Sequence, residues 1–143
     1  MTKFLTLRHA VRITKNLGFH VQDAGLLEGA LARPQTSLFG EDAYPEFELK
    51  VAAMMHSIIK NHPMIDGNKR TAWSLSVIFM FINGYKHNFT EHEAFEQRVR
   101  GEAVGAVQPA FGAFARRIEP RQVGAAGKVD HDPAAGVMLR GDH

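Results

Sequence analysis

The chain has 143 residues, 45% of them hydrophobic and 22% charged, the composition of one globular domain with a single core. Seventeen Lys and Arg against 15 Asp and Glu leave a net charge of +2, too small an excess to imply direct nucleic-acid binding through a basic face. The absence of cysteine excludes disulfides, thiolate catalysis and cysteine-type zinc sites, and fits a reducing compartment.

The N-terminal stretch MTKFLTLRHAVRITKN lacks the apolar core of a signal peptide, and the run Val77 to Ile82 is far short of the ~20 residues of a membrane span. A cytoplasmic protein without membrane association is expected. Thr6 is placed to cap a first helix running from about Thr6 to Leu17, with Leu7, Val11, Thr14 and Leu17 at helical spacing and Gly18 as its stop. Asp23 caps a second, whose face is Leu26, Leu27, Ala30 and Leu31 and which Pro34 ends. The segment RPQTSLFGEDAY has no helical period and reads as a loop or short hairpin.

Pro45 is expected in the first turn of a third helix that runs to about Asn61, with Phe47, Val51, Met54 and Ile58 on its apolar face. A fourth, from Asn68 to Asn83, is apolar on nearly every side through AWSLSVIFMFI and stops at Gly84; a helix of this kind belongs at the centre of a bundle. Thr90 and Glu93 form a capping box before Ala94, Phe95 and Val99, and Pro109 starts a last short helix carrying Phe111, Phe114 and Ile118. The Gly-, Ala- and charge-rich segment after Pro120 is expected to be a flexible tail, which gives a domain over 1–119 and a tail over 120–143. With no repeat and no run of strands, the fold class is all-α, a compact bundle.

The run NHPMIDGNKRTAW, Asn61 to Trp73, concentrates chemistry between the third and fourth helices. His62 precedes Pro63 and is expected to be extended. Asp66 or Asn68 can cap the fourth helix, whose first N–H groups and dipole form an anion site that Lys69 and Arg70 strengthen. Gly67 lets backbone come close to a ligand or permits a positive φ, Asp66 beside a phosphate pocket suits Mg²⁺, and His62 can take a proton near neutral pH. The same residue types also make an ordinary polar inter-helix turn. Against that stands the sign of the charges, because cations at a helix N-terminus are unfavourable unless an anion arrives.

No G-x-x-x-x-G-K-[ST], G-x-G-x-x-G or H-E-x-x-H motif is present. His56 reads as a helix-face or packing residue, Trp73 as core rather than a nucleotide-stacking platform, and Met54 and Met55 as packing. His87, His92, His131 and His143 are scattered and read as solvent-exposed.

HPMIDGNKRTA resembles the signature of the Fic/Doc (Fido) family, His-Pro-Phe-x-Asp/Glu-Gly-Asn-Gly/Lys-Arg, and the upstream sequence looks like the Doc branch, the death-on-curing toxins of bacterial toxin–antitoxin pairs. The resemblance runs from about Phe4 to Tyr85 and is looser beyond. It implies a helical bundle of about six helices with a short flap, Arg33 to Tyr44, between helices two and three. AMP-transferring members of the family usually carry glycine where this chain has Lys69, and a second arginine where it has Trp73. Both departures match Doc, which implies transfer of the γ-phosphate of ATP to a protein hydroxyl, a threonine of elongation factor Tu by family likeness. AMP transfer and an inactive antitoxin-binding module are the competing readings.

Carried over by position, His62 would be the general base, Asp66 would orient Mg²⁺ or the base, and Gly67, Asn68, Lys69 and Arg70 would hold phosphates. Met64 replaces the usual Phe as an apolar anchor of the loop. No Ser/Thr-x-x-x-Glu-Gly/Asn inhibitory motif is present, so restraint is expected from a separate Phd-like antitoxin whose C-terminal segment lies over the active-site groove.

Overall fold

A computed structural model of the protein describes residues 1–99 and 108–122. Six α-helices make up the described part: α1 (Leu7–Asn16), α2 (Ala24–Ala32), α3 (Phe47–Asn61), α4 (Asn68–Ile82), α5 (Glu91–Val99) and α6 (Gln108–Ala115). Two small antiparallel ladders accompany them, β1 (Ser37–Leu38) with β2 (Glu41–Asp42), and β3 (Tyr85–His87) with β4 (Ile118–Pro120). The fold is all-α, as expected.

Helix boundaries follow local chemistry. The Thr6 hydroxyl accepts from the His9 N–H and the Asp23 carboxylate from the Leu26 N–H, each satisfying a first-turn donor that has no partner in the helix. Thr90 and Glu93 close the expected capping box, the Thr90 N–H donating to Glu93 Oε1 at 2.9 Å and the Glu93 N–H to Thr90 Oγ1 at 3.2 Å. Pro45 lies before α3 rather than in its first turn, because Glu46 is the N-cap and Phe47 the first helical residue. On α1 the inner face is Ala10, Ile13 and Thr14, while Val11 is exposed; Thr14 turns its hydroxyl onto the Ala10 carbonyl and so buries without an unpaired polar atom.

The core is the α3–α4 pair. Both helices are 15 residues long and pack on one another across the turn that joins them. Every residue from Lys50 to Met55 is buried, so α3 shares the central place expected for α4 alone. Ala52 and Ala53 keep that stretch narrow enough for neighbours on several sides, and the Met54–Met55 pair fills core space as expected. Burying a Val, Leu, Ile or Met side chain of this kind contributes roughly 1.5–3 kcal/mol. Phe79 of α4 lies 5.0 Å from Phe47, which stacks on Tyr85 at 4.4 Å, tying the start of β3 to the bundle.

Two local readings change with tertiary structure. Ile118 belongs to β4 and not to the last helix, since Tyr85, Lys86 and His87 pair with Pro120, Glu119 and Ile118 across a ladder of long sequence separation. His87 is therefore half-buried rather than solvent-exposed: its ring lies 5.0 Å from Trp73, Nδ1 accepts from the Phe89 N–H, and burial first, then the Arg117 charge, lowers its pKa. The expected domain edge at 119 falls inside this ladder, and the Arg121 N–H donates to the Gly84 carbonyl. The remainder of the tail, with His131 and His143, lies outside the described residues, as does the Phe111 side chain.

The RPQTSLFGEDAY segment forms a short 3-10 turn (Arg33–Gln35) and then the β1–β2 hairpin. Phe39 and Gly40 at its tip have φ of 54° and 82°, the paired positive values of a two-residue hairpin turn whose twist matches that of the strands. Its base is pinned to α3. The Arg33 guanidinium donates to Tyr44 Oη, the Ala53 carbonyl and Ser57 Oγ and contacts His56 Nδ1 at 2.8 Å. Lys50, buried, meets Asp42 at 3.2 Å and the Tyr44 carbonyl. His56 is thus a packing residue of the hairpin anchor, its pKa lowered by burial and by Arg33 and Lys60.

Candidate active site

The turn between α3 and α4 is held on both sides. α3 ends at His62, whose N–H donates to the Ile58 carbonyl and whose φ of 50° and ψ of 59° are left-handed rather than extended. The proline behind it disfavours only the right-handed helical region strongly; closing the α3 terminus needs a left-handed residue, and that demand wins at His62. Beyond Pro63 the turn pairs with the segment after α1. The Pro63 carbonyl accepts from the Gln22 and Asp23 N–H groups, the Ile65 N–H donates to the His20 carbonyl, and Val21 bridges Met64. Met64 is 1% exposed and anchors the turn in the core, the part expected of a large apolar residue at that position.

Asn68 is the internal brace. Its Oδ1 accepts from the Met64 N–H at 2.9 Å and its Nδ2 donates to the Met64 carbonyl at 3.0 Å, which fixes the orientation of the amide. Nδ2 then faces His62 Nδ1 at 3.4 Å. With the amide donor facing Nδ1, the matching tautomer of the uncharged ring carries its proton on Nε2; a contact this long opposes inversion of the tautomer only weakly. Neither Asp66 nor Asn68 caps α4. Asn68 is occupied as described, and Asp66 Oδ1 accepts from the Gly67 N–H at 2.7 Å, one residue too early. The α4 N-terminus is left open, with left-handed Gly67 as its N-cap.

Gly67 is required twice. Its φ is +74°, and a β-carbon there would stand 2.4 Å from the ring of Phe19. Phe19, which follows the stop of α1 at Gly18, is thus a wall of the site that sequence reading did not find.

A cleft of about 470 Å³ opens over this turn, lined by Phe19, Ile65, Arg98 and the six sequence-predicted residues His62, Asp66, Gly67, Asn68, Lys69 and Arg70. All six line this one cleft, although the Asn68 amide is turned into the loop. Lys69 and Arg70 have no hydrogen bond or ion pair among the described residues, and no acid stands in the first turn of α4. Two cations thus join the positive end of a helix dipole with no ion-pair partner among the described residues. The exposed His62 and Asp66 stand at the same mouth.

No group of three or more His, Asp or Glu side chains gathers among the described residues. A dedicated all-protein cation cage is thus absent there. Asp66, exposed and with one oxygen committed to Gly67, fits a Mg²⁺ that arrives on a phosphate and takes one carboxylate plus water. Trp73 is 3% exposed, packed against His87 and Phe89, and is core as expected.

Residues 4–80, just over half of the chain, match the family model described as the Fic/DOC family. The chain belongs to this family. The Fic/DOC match takes in the hairpin, the Asn68 brace and both cations of α4, and stops short of Arg98. The chain is 52% identical over 64 residues to a protein called Toxin Doc from Mycolicibacterium smegmatis (strain ATCC 700084 / mc(2)155), an alignment covering 45% of this chain and 49% of that protein. The chain spans about half the length of the curated relative it matches. No solved structure gives a significant match. Among the described residues no helix is long and apolar enough to cross a membrane.

Proposed function

We propose that this Fic/DOC chain is a toxin of the Doc type that transfers the γ-phosphate of ATP to a protein hydroxyl. The observation that carries this reading is the open α4 N-terminus with Lys69 and Arg70 unpaired beside His62 and Asp66, an anion site next to a base. In the step itself, His62 takes the proton of the acceptor hydroxyl as its oxygen bonds to the γ-phosphorus. The bond from that phosphorus to the bridging oxygen breaks, and ADP leaves with the electron pair. Lys69 and Arg70, with the N–H groups behind Gly67, hold the phosphate oxygens in line. Mg²⁺ bound by Asp66 and phosphate would supply charge neutralisation. Asn68 positions His62 through the loop.

Lys69 favours phosphate over AMP transfer, because it fills and charges the place beside the helix start where a glycine would leave room for more of the nucleotide. The β1–β2 hairpin, each strand paired on one side only among the described residues, offers backbone groups on which an acceptor segment can align. By family likeness the acceptor is a threonine of elongation factor Tu, and the restraint is a Phd-like antitoxin whose C-terminal segment covers the cleft. The reaction is tested with γ-labelled and α-labelled ATP in parallel, with Mg²⁺ and elongation factor Tu or a bacterial lysate. Label from γ alone supports the proposal. Label from both positions makes AMP transfer the activity, and label from neither leaves an antitoxin-binding module.

A further inference from the structure

Among the described residues of the cleft, Arg98 is the charged one that the transfer mechanism above does not use. It comes from the last turn of α5, which packs on α4, and lines the same cavity as Lys69 and Arg70. No hydrogen bond or ion pair engages it among the described residues. Among the described residues Asp66 is the one carboxylate lining the cleft, and its Oδ1 is held by Gly67. The negative end of the α5 dipole tolerates a cation at that turn. It does not account for a guanidinium in a cavity that already carries Lys69 and Arg70 against a single described carboxylate, where like charges repel unless an anion lies between them.

α4 itself offers no further cation to a long anion: the turn after Arg70 presents Trp73, which is buried in the core. We propose that Arg98 is a phosphate-binding residue, gripping the part of a polyphosphate chain that extends away from the α4 N-terminus, so that Lys69 and Arg70 hold one end and Arg98 another. A planar guanidinium suits this, since it pairs two oxygens at once and fixes orientation as well as charge. The inference rests on the phosphotransfer reading for its ligand class and adds a third, remote clamp to it.

The experiment is calorimetric titration of the full chain with ATP and, separately, with inorganic triphosphate, no acceptor being present. It is run on wild type, Arg98→Ala, Arg98→Lys and Arg70→Ala, with circular dichroism of each variant. Arg98→Ala is expected to weaken both ligands about tenfold and to steepen neither melting nor far-ultraviolet change, and Arg98→Lys to recover part of the loss. In the transfer assay Arg98→Ala is expected to raise KM for ATP more than it lowers kcat. Triphosphate affinity that drops in Arg70→Ala but not in Arg98→Ala would overturn the inference and leave the proposed reaction standing. Normal dependence on Arg98 with no transfer of γ-label would do the reverse. A wild-type chain that binds neither ligand would overturn both.

Discussion

The side-chain amide of Asn68 closes on both backbone groups of Met64, at 2.9 and 3.0 Å, and in doing so sets the shape of the loop that carries His62. Asn68 is 8% exposed, so truncation would leave the Met64 N–H and carbonyl without partners away from water. Asn68→Ala is expected to cost about 2–3 kcal/mol of stability and most of the transfer activity. Denaturant unfolding with the labelled-ATP assay checks this; full activity in a destabilised variant would show that the brace does not position His62.

His62 combines reactivity with a left-handed backbone. His62→Gly relieves about 1 kcal/mol of backbone strain while removing the base. It should melt at or above the wild-type temperature and transfer nothing, and His62→Ala should also be inactive with the fold intact. Either variant remaining as toxic as wild type in cells would end the general-base assignment.

Lys69→Gly is expected to lower γ-phosphate transfer about tenfold or more, as loss of one charge-assisted contact to phosphate predicts, at a stability cost of no more than about 1 kcal/mol for a glycine in the first turn of α4, since Lys69 makes no hydrogen bond or ion pair among the described residues. Side-by-side γ- and α-labelling decides it. An unchanged rate would remove lysine from the phosphate cradle.

Gly67→Ala is expected to destabilise by more than 1 kcal/mol, roughly the left-handed penalty plus displacement of the Phe19 ring. In the double variant Phe19→Ala, Gly67→Ala the clash disappears and the φ penalty stays. A double-mutant cycle should therefore show positive coupling; strict additivity would mean that Phe19 does not press on Gly67.

Glu93 carries an acid-sensitive contact. Hydrogen bonds from the Arg117 guanidinium, then from Thr90, lower its pKa from 4.5 to about 2. A carboxylate with a depressed folded pKa contributes stability that is fully present above its unfolded value and is lost as pH falls from about 4.5 to about 2. The melting-temperature gap between wild type and Glu93→Gln should be constant above about pH 5.5 and shrink through that window. A gap that persists at pH 2 would show that the contact does not depend on the charge.

The reactive turn was legible because its chemistry is contiguous: His62 to Arg70 reaches one cleft through nothing longer than a helix-to-helix connection. The caps at Thr6, Asp23 and Thr90 were legible for the same reason. What sequence missed is long-range. Phe19 and Arg98 reach the cleft only through the packing of α1 and α5 around α4, and the β3–β4 ladder joins residues with no local strand signal to announce it. At His62 two local demands compete: the following proline points to an extended residue, while closing the α3 terminus asks for the left-handed one that the structure adopts. Helix α3 shows a one-faced pattern in sequence because its Ala52–Ala53 pair carries little hydrophobic signal, yet small size is what admits neighbours on those sides.

Helix α3 carries the hairpin anchor at His56 and Ser57 and, at its end, His62. Six residues separate His56 from His62, a rise of about 9 Å along a rod that is buried over most of its length. The helix therefore works as a ruler between the edge strand and the imidazole. Lengthening it by a single residue would move the two apart by only about 1.5 Å but swing one about the axis by about 100° relative to the other. Spacing along this helix is consequently constrained by angle far more than by distance.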